Sequence, residues 1–168
     1  MPNSSHFRIS GPLAFVALTA LSAPAQTGSK HSKTESAAAC SDPQLQAAAD
    51  DFRELRTTPG HFDGAGWRPE VDAYDGKKHK LMQKLAKDAI ERELSVDCLL
   101  RLLGKADEQM AGGSAGGTAL LSQVEWQTGQ ATQAGELLIY NWRGRHDRLV
   151  FLAIDDKLLA SGWALAYE

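Results

Sequence analysis

The chain has little of what would announce a chemistry. Its 168 residues hold two cysteines, too few for a disulfide-built scaffold. Neither belongs to a close-spaced set of soft ligands that would hold zinc. Charge of one sign is also missing: 18 lysines and arginines against 21 acids leave −3, so no global basic field holds nucleic acid by counterion release. No apolar run reaches the ~18–20 residues of a membrane-spanning helix. The length excludes two-domain enzymes and α/β barrels, and no cofactor motif is present. What remains, at 43% hydrophobic and 23% charged residues, is one ordinary globular domain.

What is there begins with an address. Residues 1–25 carry one full charge, Arg8, then an apolar-rich run from Gly11 to Leu21, then Ser22-Ala23-Pro24-Ala25. A charged start, a short apolar core and an Ala-x-Ala exit form a secretory signal peptide. Pro12 and Pro24 bracket the run, which is too short to span a bilayer core of roughly 30 Å. The expected mature protein is periplasmic or secreted, without a membrane span. Removing Arg8 takes its balance from −3 to −4. An oxidising compartment favours joining Cys40 to Cys98, closing a loop of 59 residues.

Residues 26–40 form a polar leader without apolar period, expected to be disordered. Residues 41–168 form the single folded domain. Ser41-Asp42-Pro43 starts a helix with a capping hydroxyl and Pro in the first turn. Leu45, Ala48, Phe52 and Leu55 recur at helical spacing until Thr57-Thr58-Pro59-Gly60. A loop follows from His61 to Gly76, with Trp67 and Tyr74 as expected anchors. Lys77 to Arg92 is a second helix, with an apolar stripe through Met82, Leu85 and Ala89. Its other side carries Lys80, Lys84 and Lys87, read as a solvated face. Ser95 caps a third helix with Val96, Leu99, Leu100 and Leu103 inward and Gly104 as its stop. Residues 105–135 are Gly-rich and expected to be flexible, although Thr118 to Trp126, with Leu120, Leu121, Val124 and Trp126, fits a short strand or a helical turn.

The last third reads as strands: Leu137–Arg143, Arg148–Ile154 and Leu158–Tyr167, joined by two short turns. Short connections force an antiparallel meander. The expected fold class is therefore α+β, N-terminal helices packed on a three-stranded β-meander. Leu138, Tyr140, Trp142, Leu149 and Phe151 share one face; Leu137, Ile139, Val150, Leu152 and Ile154 share the other. On the third strand, Leu158 and Ala160 alternate against Leu159 and Trp163. A sheet with one wet face alternates apolar and polar residues. This one does not, so both faces require cover: helices two and three on one, and helix one, residues 105–135 or a partner on the other.

The segment Glu93-Leu94-Ser95-Val96-Asp97-Cys98-Leu99-Leu100-Arg101-Leu102-Leu103-Gly104-Lys105-Ala106-Asp107 resembles the helix-ending signature of small exported SmpA/OmlA (BamE-like) proteins. That group is related in fold to β-lactamase-inhibitory protein. Leu102-Leu103-Gly104 carries the resemblance most clearly, while Glu93, Leu94 and Ala106 stand where the signature has Gly, Met and Pro. The resemblance implies two helices on a three-stranded meander whose first strands are Leu138–Trp142 and Leu149–Phe151. It also implies a protein-binding module rather than a catalyst.

Three motifs compete as chemistry. Gly112-Gly113-Ser114-Ala115-Gly116 matches the nucleophile elbow, which requires a preceding buried strand that Lys105–Gln109 does not provide. His61 with Asp63, and His146 with Asp147, pair groups used in acid–base work, but both lie where turns prefer Asp. Expectation therefore favours a non-catalytic, exported domain that binds another protein, with Trp142, Arg145, His146, Trp163 and Tyr167 as its interface candidates. A sharper form is an immunity or inhibitor protein against an exported toxin or enzyme. The competing class is a small hydrolase using His61, Asp63, His146 and Ser114.

Overall fold

A computed structural model of the chain describes residues 38–166. The expected signal peptide, residues 26–37 of the expected leader and Tyr167 lie outside the described residues. Helix α1, Pro43–Thr57, starts as the sequence suggests, but its cap is the Asp42 carboxylate, which accepts from the N–H groups of Gln44 at 2.8 Å and Leu45 at 3.1 Å. Its buried stripe is Leu45, Ala48, Ala49 and Phe52, the i, i+3, i+4, i+7 face of an amphipathic helix. A single 3₁₀ turn, His61–Asp63, and a short helix α2, Pro69–Asp72, follow. Helix α3 is Lys77–Glu91, burying Met82, Leu85, Ala86 and Ala89. On its outer side Lys84 pairs with Asp88 and Lys87 with Glu91, so acids of the same helix offset that basic face.

Helix α4, Val96–Leu103, is capped by the Ser95 hydroxyl, which accepts from Cys98 N–H at 3.2 Å. Cys98, Leu99, Leu102 and Leu103 are its buried residues, with Leu100 only half-buried. The last carbonyls of a helix have no intrahelical donors. Here α1 supplies them: Arg53 donates to Leu102 O at 2.6 Å and Arg56 to Leu103 O at 2.8 Å and Lys105 O at 2.6 Å. Tyr140 OH donates to Gly104 O at 2.9 Å. Leu102-Leu103-Gly104 is thus a clasp between helix ends and sheet. Cys40 and Cys98 form a disulfide with Cα atoms 5.8 Å apart, tying the chain just before α1 to α4.

The sheet has five strands rather than three. Strands β1 (Glu108–Ala111), β2 (Glu125–Gly129), β3 (Glu136–Arg143), β4 (Asp147–Ile154) and β5 (Lys157–Ala164) pair antiparallel in the order β1-β3-β4-β5-β2. The meander β3-β4-β5 is as expected; the two edge strands come from residues 105–135. That segment is ordered in three elements, β1, helix α5 (Ala115–Leu121) and β2, so helices do not all precede strands. Its glycines serve close approach: a Cβ on Gly117 would sit 2.1 Å from Ala111 O, where α5 crosses the end of β1. Ser114 caps α5, accepting from Gly117 N–H at 3.0 Å.

Both sheet faces are covered by the chain itself. Leu138, Tyr140, Trp142, Leu149, Phe151 and Trp163 pack under α1, α3 and α4 in the main core. Leu137, Ile139, Val150, Leu152, Ala160 and Ala164 pack under Leu120 and Val124, with Met110, Leu121 and Trp126 at the margin. Leu158 and Ala160 fall on opposite faces, against strict alternation. The pairing skips Leu159, since Leu152 opposes Ala160 while Ala153 opposes Leu158. That bulge inverts the first residues of β5. Among the described residues no helix is long and apolar enough to cross a membrane.

Candidate functional site

The connection between α1 and α3 folds over the β3–β4 hairpin end of the sheet, and a buried carboxylate organises it. Asp72 is 1% exposed and accepts from His61 N–H at 3.1 Å and Arg68 N–H at 2.7 Å. Gly60 makes this approach feasible, because a Cβ there would lie 2.2 Å from the Asp72 carboxylate. The loop is stapled to the sheet by Trp142 Nε1–H, which donates to Val71 O at 2.9 Å. Lys78, buried at the start of α3, donates to Trp142 O at 2.7 Å. Burial pushes the Lys78 amine below its ordinary pKa, with Asp63 opposing the shift.

The loop so held displays Trp67 and Tyr74, 55% and 66% exposed, the large hydrophobic side chains that reach solvent among the described residues. Both were expected as anchors of the loop; each is more than half exposed, while Tyr74 still packs against His79 at 4.7 Å. Around them runs a chain of rings. His61 meets Trp67 at 6.3 Å and Phe62 at 5.3 Å, and Phe62 meets His146 at 5.5 Å between centroids. Arg143 lies over the Phe62 ring at 5.3 Å and the Trp142 ring at 4.2 Å, a cation–π bridge from hairpin to loop. Its charge is paired with buried Asp147 at 2.6 Å. Arg145 projects from the hairpin tip and reaches back to Glu108 at 2.7 Å. Behind Tyr74, His79 is buried and stacks on Trp142 at 4.2 Å.

The predicted residues divide by depth. Arg145 and His146 are exposed on this surface. Trp142 and Trp163 are buried beneath it at 1% and 2% exposure and act as its floor. His61 and His146 are brought to either side of Phe62, while the Asp63 carboxylate accepts from Gly60 N–H at 3.3 Å. Ser114 is elsewhere. Its hydroxyl caps α5 and donates to Ala111 O at 2.7 Å, beside the start of β3. His146 follows the end of β3, so seven strand steps, roughly 23 Å, separate the two ends. Phe62, Trp67 and Tyr74 were not read as site residues. The available signal was their place in a loop, outside any apolar period.

Among the described residues no three His, Cys, Asp or Glu side chains are grouped to hold a metal ion. Fold and site together define an α+β domain with an aromatic and cationic surface at one end of its sheet. No family model, no curated protein and no solved structure matches the chain.

Proposed function

We propose that the protein is an exported, non-catalytic domain that binds another protein through the surface of Trp67, Tyr74, Arg145 and His146. One observation carries the reading: among the described residues the exposed large apolar side chains are a Trp and a Tyr at the same end of the sheet as an exposed Arg. Those three residue types dominate protein-binding hot spots. Export is supported by the signal-peptide pattern and by the disulfide, which suits an oxidising compartment. The resemblance around Leu102-Leu103-Gly104 agrees with such a module, and an inhibitory or immunity role is its sharper form.

The hydrolase reading has less support. Ser114 stands at the far end of β3 from His61 and His146, and its hydroxyl is engaged in capping α5. A photo-crosslinking residue at position 74, compared with one at Lys84 on the outer side of α3, tests the binding reading in the exporting cell. The expected result is a discrete protein adduct from position 74, absent from position 84. Trp67→Ala should abolish that adduct, since truncating a hot-spot Trp costs about 2 kcal/mol, roughly 30-fold in Kd. Equal adducts from both positions, or an adduct indifferent to Trp67→Ala, would refute it.

A further inference from the structure

His79 occupies the third position of α3, with its ring among three others. Tyr74 lies 4.7 Å away, Trp142 4.2 Å at an interplanar angle of 28°, and Trp163 5.0 Å. Its Nδ1 accepts from the backbone N–H of Asp75 at 3.2 Å. This is the logic of a capping box, in which the third helical side chain reaches back to an N–H ahead of the helix. Gly76, the residue before α3, has no side chain to cap the helix in return. Only the neutral imidazole has a lone pair at Nδ1 to accept that bond.

We infer that His79 is an acid-released latch on the Tyr74 turn, closed when its ring is neutral and opened when the ring takes up a proton. The consequence for binding rests on the proposed function; the latch itself does not. Protonation turns Nδ1 into a donor facing a donor, so the Asp75 N–H bond is lost. It also places a buried cation in the first turn of α3, at the positive end of the helix dipole. The charged groups around the ring leave one acceptor for the new proton. Arg143 and Asp147, from the hairpin, are of opposite sign and paired with each other at 2.6 Å. Lys78 is turned to Trp142 O, and Lys77 pairs with Asp51. Tyr74, Trp142 and Trp163 are uncharged. Nε2 lies 3.4 Å from the Gln83 amide.

That leaves the Asp75 carboxylate, 3.5 Å from Nδ1. The protonated ring exchanges the Asp75 backbone N–H for the Asp75 side chain, and the backbone bond that holds the turn is lost. Asp75 has φ of 61°, a left-handed conformation that Asp adopts mainly in turns, and the bond to His79 holds it there. Burial holds the ring below its ordinary pKa, with the Asp75 charge opposing. Because the folded pKa is depressed, the unfolded chain takes up the proton first. The contribution of neutral His79 to stability is therefore complete above about pH 6.5 and is lost as pH falls from there through the depressed folded pKa.

The test is nuclear magnetic resonance on the disulfide-bonded protein, following the His79 ring and the hydrogen-exchange protection of the Asp75 amide from pH 8 to pH 5. Protection should fall at least ~10-fold along the same curve as the ring titration, with the Tyr74 ring signals moving in step. In His79→Asn, whose amide oxygen reaches the Nδ1 position without titrating, Asp75 protection should not change with pH. A ring that titrates while Asp75 stays protected would overturn the latch, as would a pH dependence surviving in His79→Asn. Should that variant not fold, co-titration in the natural protein decides alone. No partner enters this experiment, so its failure would leave the crosslinking result standing, and the reverse holds equally.

Discussion

Reduction of the Cys40–Cys98 disulfide should remove a large part of the stability margin. The bond joins residues separated by 58 positions, from just before α1 to the first turn of α4. In the chain-entropy treatment a loop of that length restricts the unfolded chain by about 4 kcal/mol. Arg53 and Arg56 join α1 to the other end of α4, but few contacts hold the segment at Cys40 itself. Gln46 donates to Cys40 O at 2.7 Å, and Arg92 pairs with Asp42 at 2.9 Å in a half-buried contact. Domains of this size have stabilities of ~5–15 kcal/mol, so the reduced form should be marginal. Spread over the described residues, an unfolding entropy of ~2.1 cal/mol/K per residue converts the loss to about 15 °C in Tm. The assay is urea unfolding followed by tryptophan fluorescence, on the oxidised protein, the reduced protein and Cys40→Ala/Cys98→Ala. Reduction keeps both buried sulfurs, whereas the alanines remove them, so the difference between those forms isolates packing from chain entropy. A loss below about 1 kcal/mol on reduction, with the oxidised and reduced m-values similar, would refute the reasoning.

Two further substitutions probe the site and the second core. Asp72→Ala should orphan the His61 and Arg68 N–H groups at about 1–3 kcal/mol per donor, and release the loop that carries Trp67. Its mark is loss of the position-74 crosslink while circular dichroism shows the rest still folded; an intact crosslink would deny Asp72 its organising role. Leu120→Ala should cost about 2–3 kcal/mol in urea unfolding and raise binding of an apolar dye, because Leu120 is central to the small cover of the second face. A cost under about 1 kcal/mol would mean that face is not a true core.

The helices and the central meander were legible because their signals are local. Leu45, Ala48 and Phe52 repeat at helical spacing, and Asp155-Asp156 closes a tight turn with both residues at positive φ, 49° and 64°. The edge strands were not legible. Glu108–Ala111 carries no alternation of its own, and its place is set by pairing to β3, where Met110 opposes Leu137. Gly117 looked like part of a flexible tract but is required by a contact with Ala111 O that no local pattern encodes. The Leu159 bulge likewise appears only in the registry between β4 and β5. The candidate site was half legible. Arg145 and His146 were found as hairpin-tip residues, whereas Trp142 and Trp163 were singled out for their aromaticity, which does not distinguish a floor from a surface.

The two-faced sheet changes its meaning once its cover is known. An apolar face left open would have required a partner to lie across β3, β4 and β5. Leu120 and Val124 close that face from within the same chain, so its apolar residues supply stability rather than contact. What the fold leaves unburied is small and lies at an end, on a loop held by Asp72 and by the Trp142–Val71 and Lys78–Trp142 bonds. The residues that fix this loop are buried polar groups, whose removal costs more than that of surface charges. A partner seated there meets a pre-formed loop and incurs less ordering entropy than one meeting a free segment. The same construction puts His79 directly behind Tyr74, one of the large aromatic side chains exposed among the described residues.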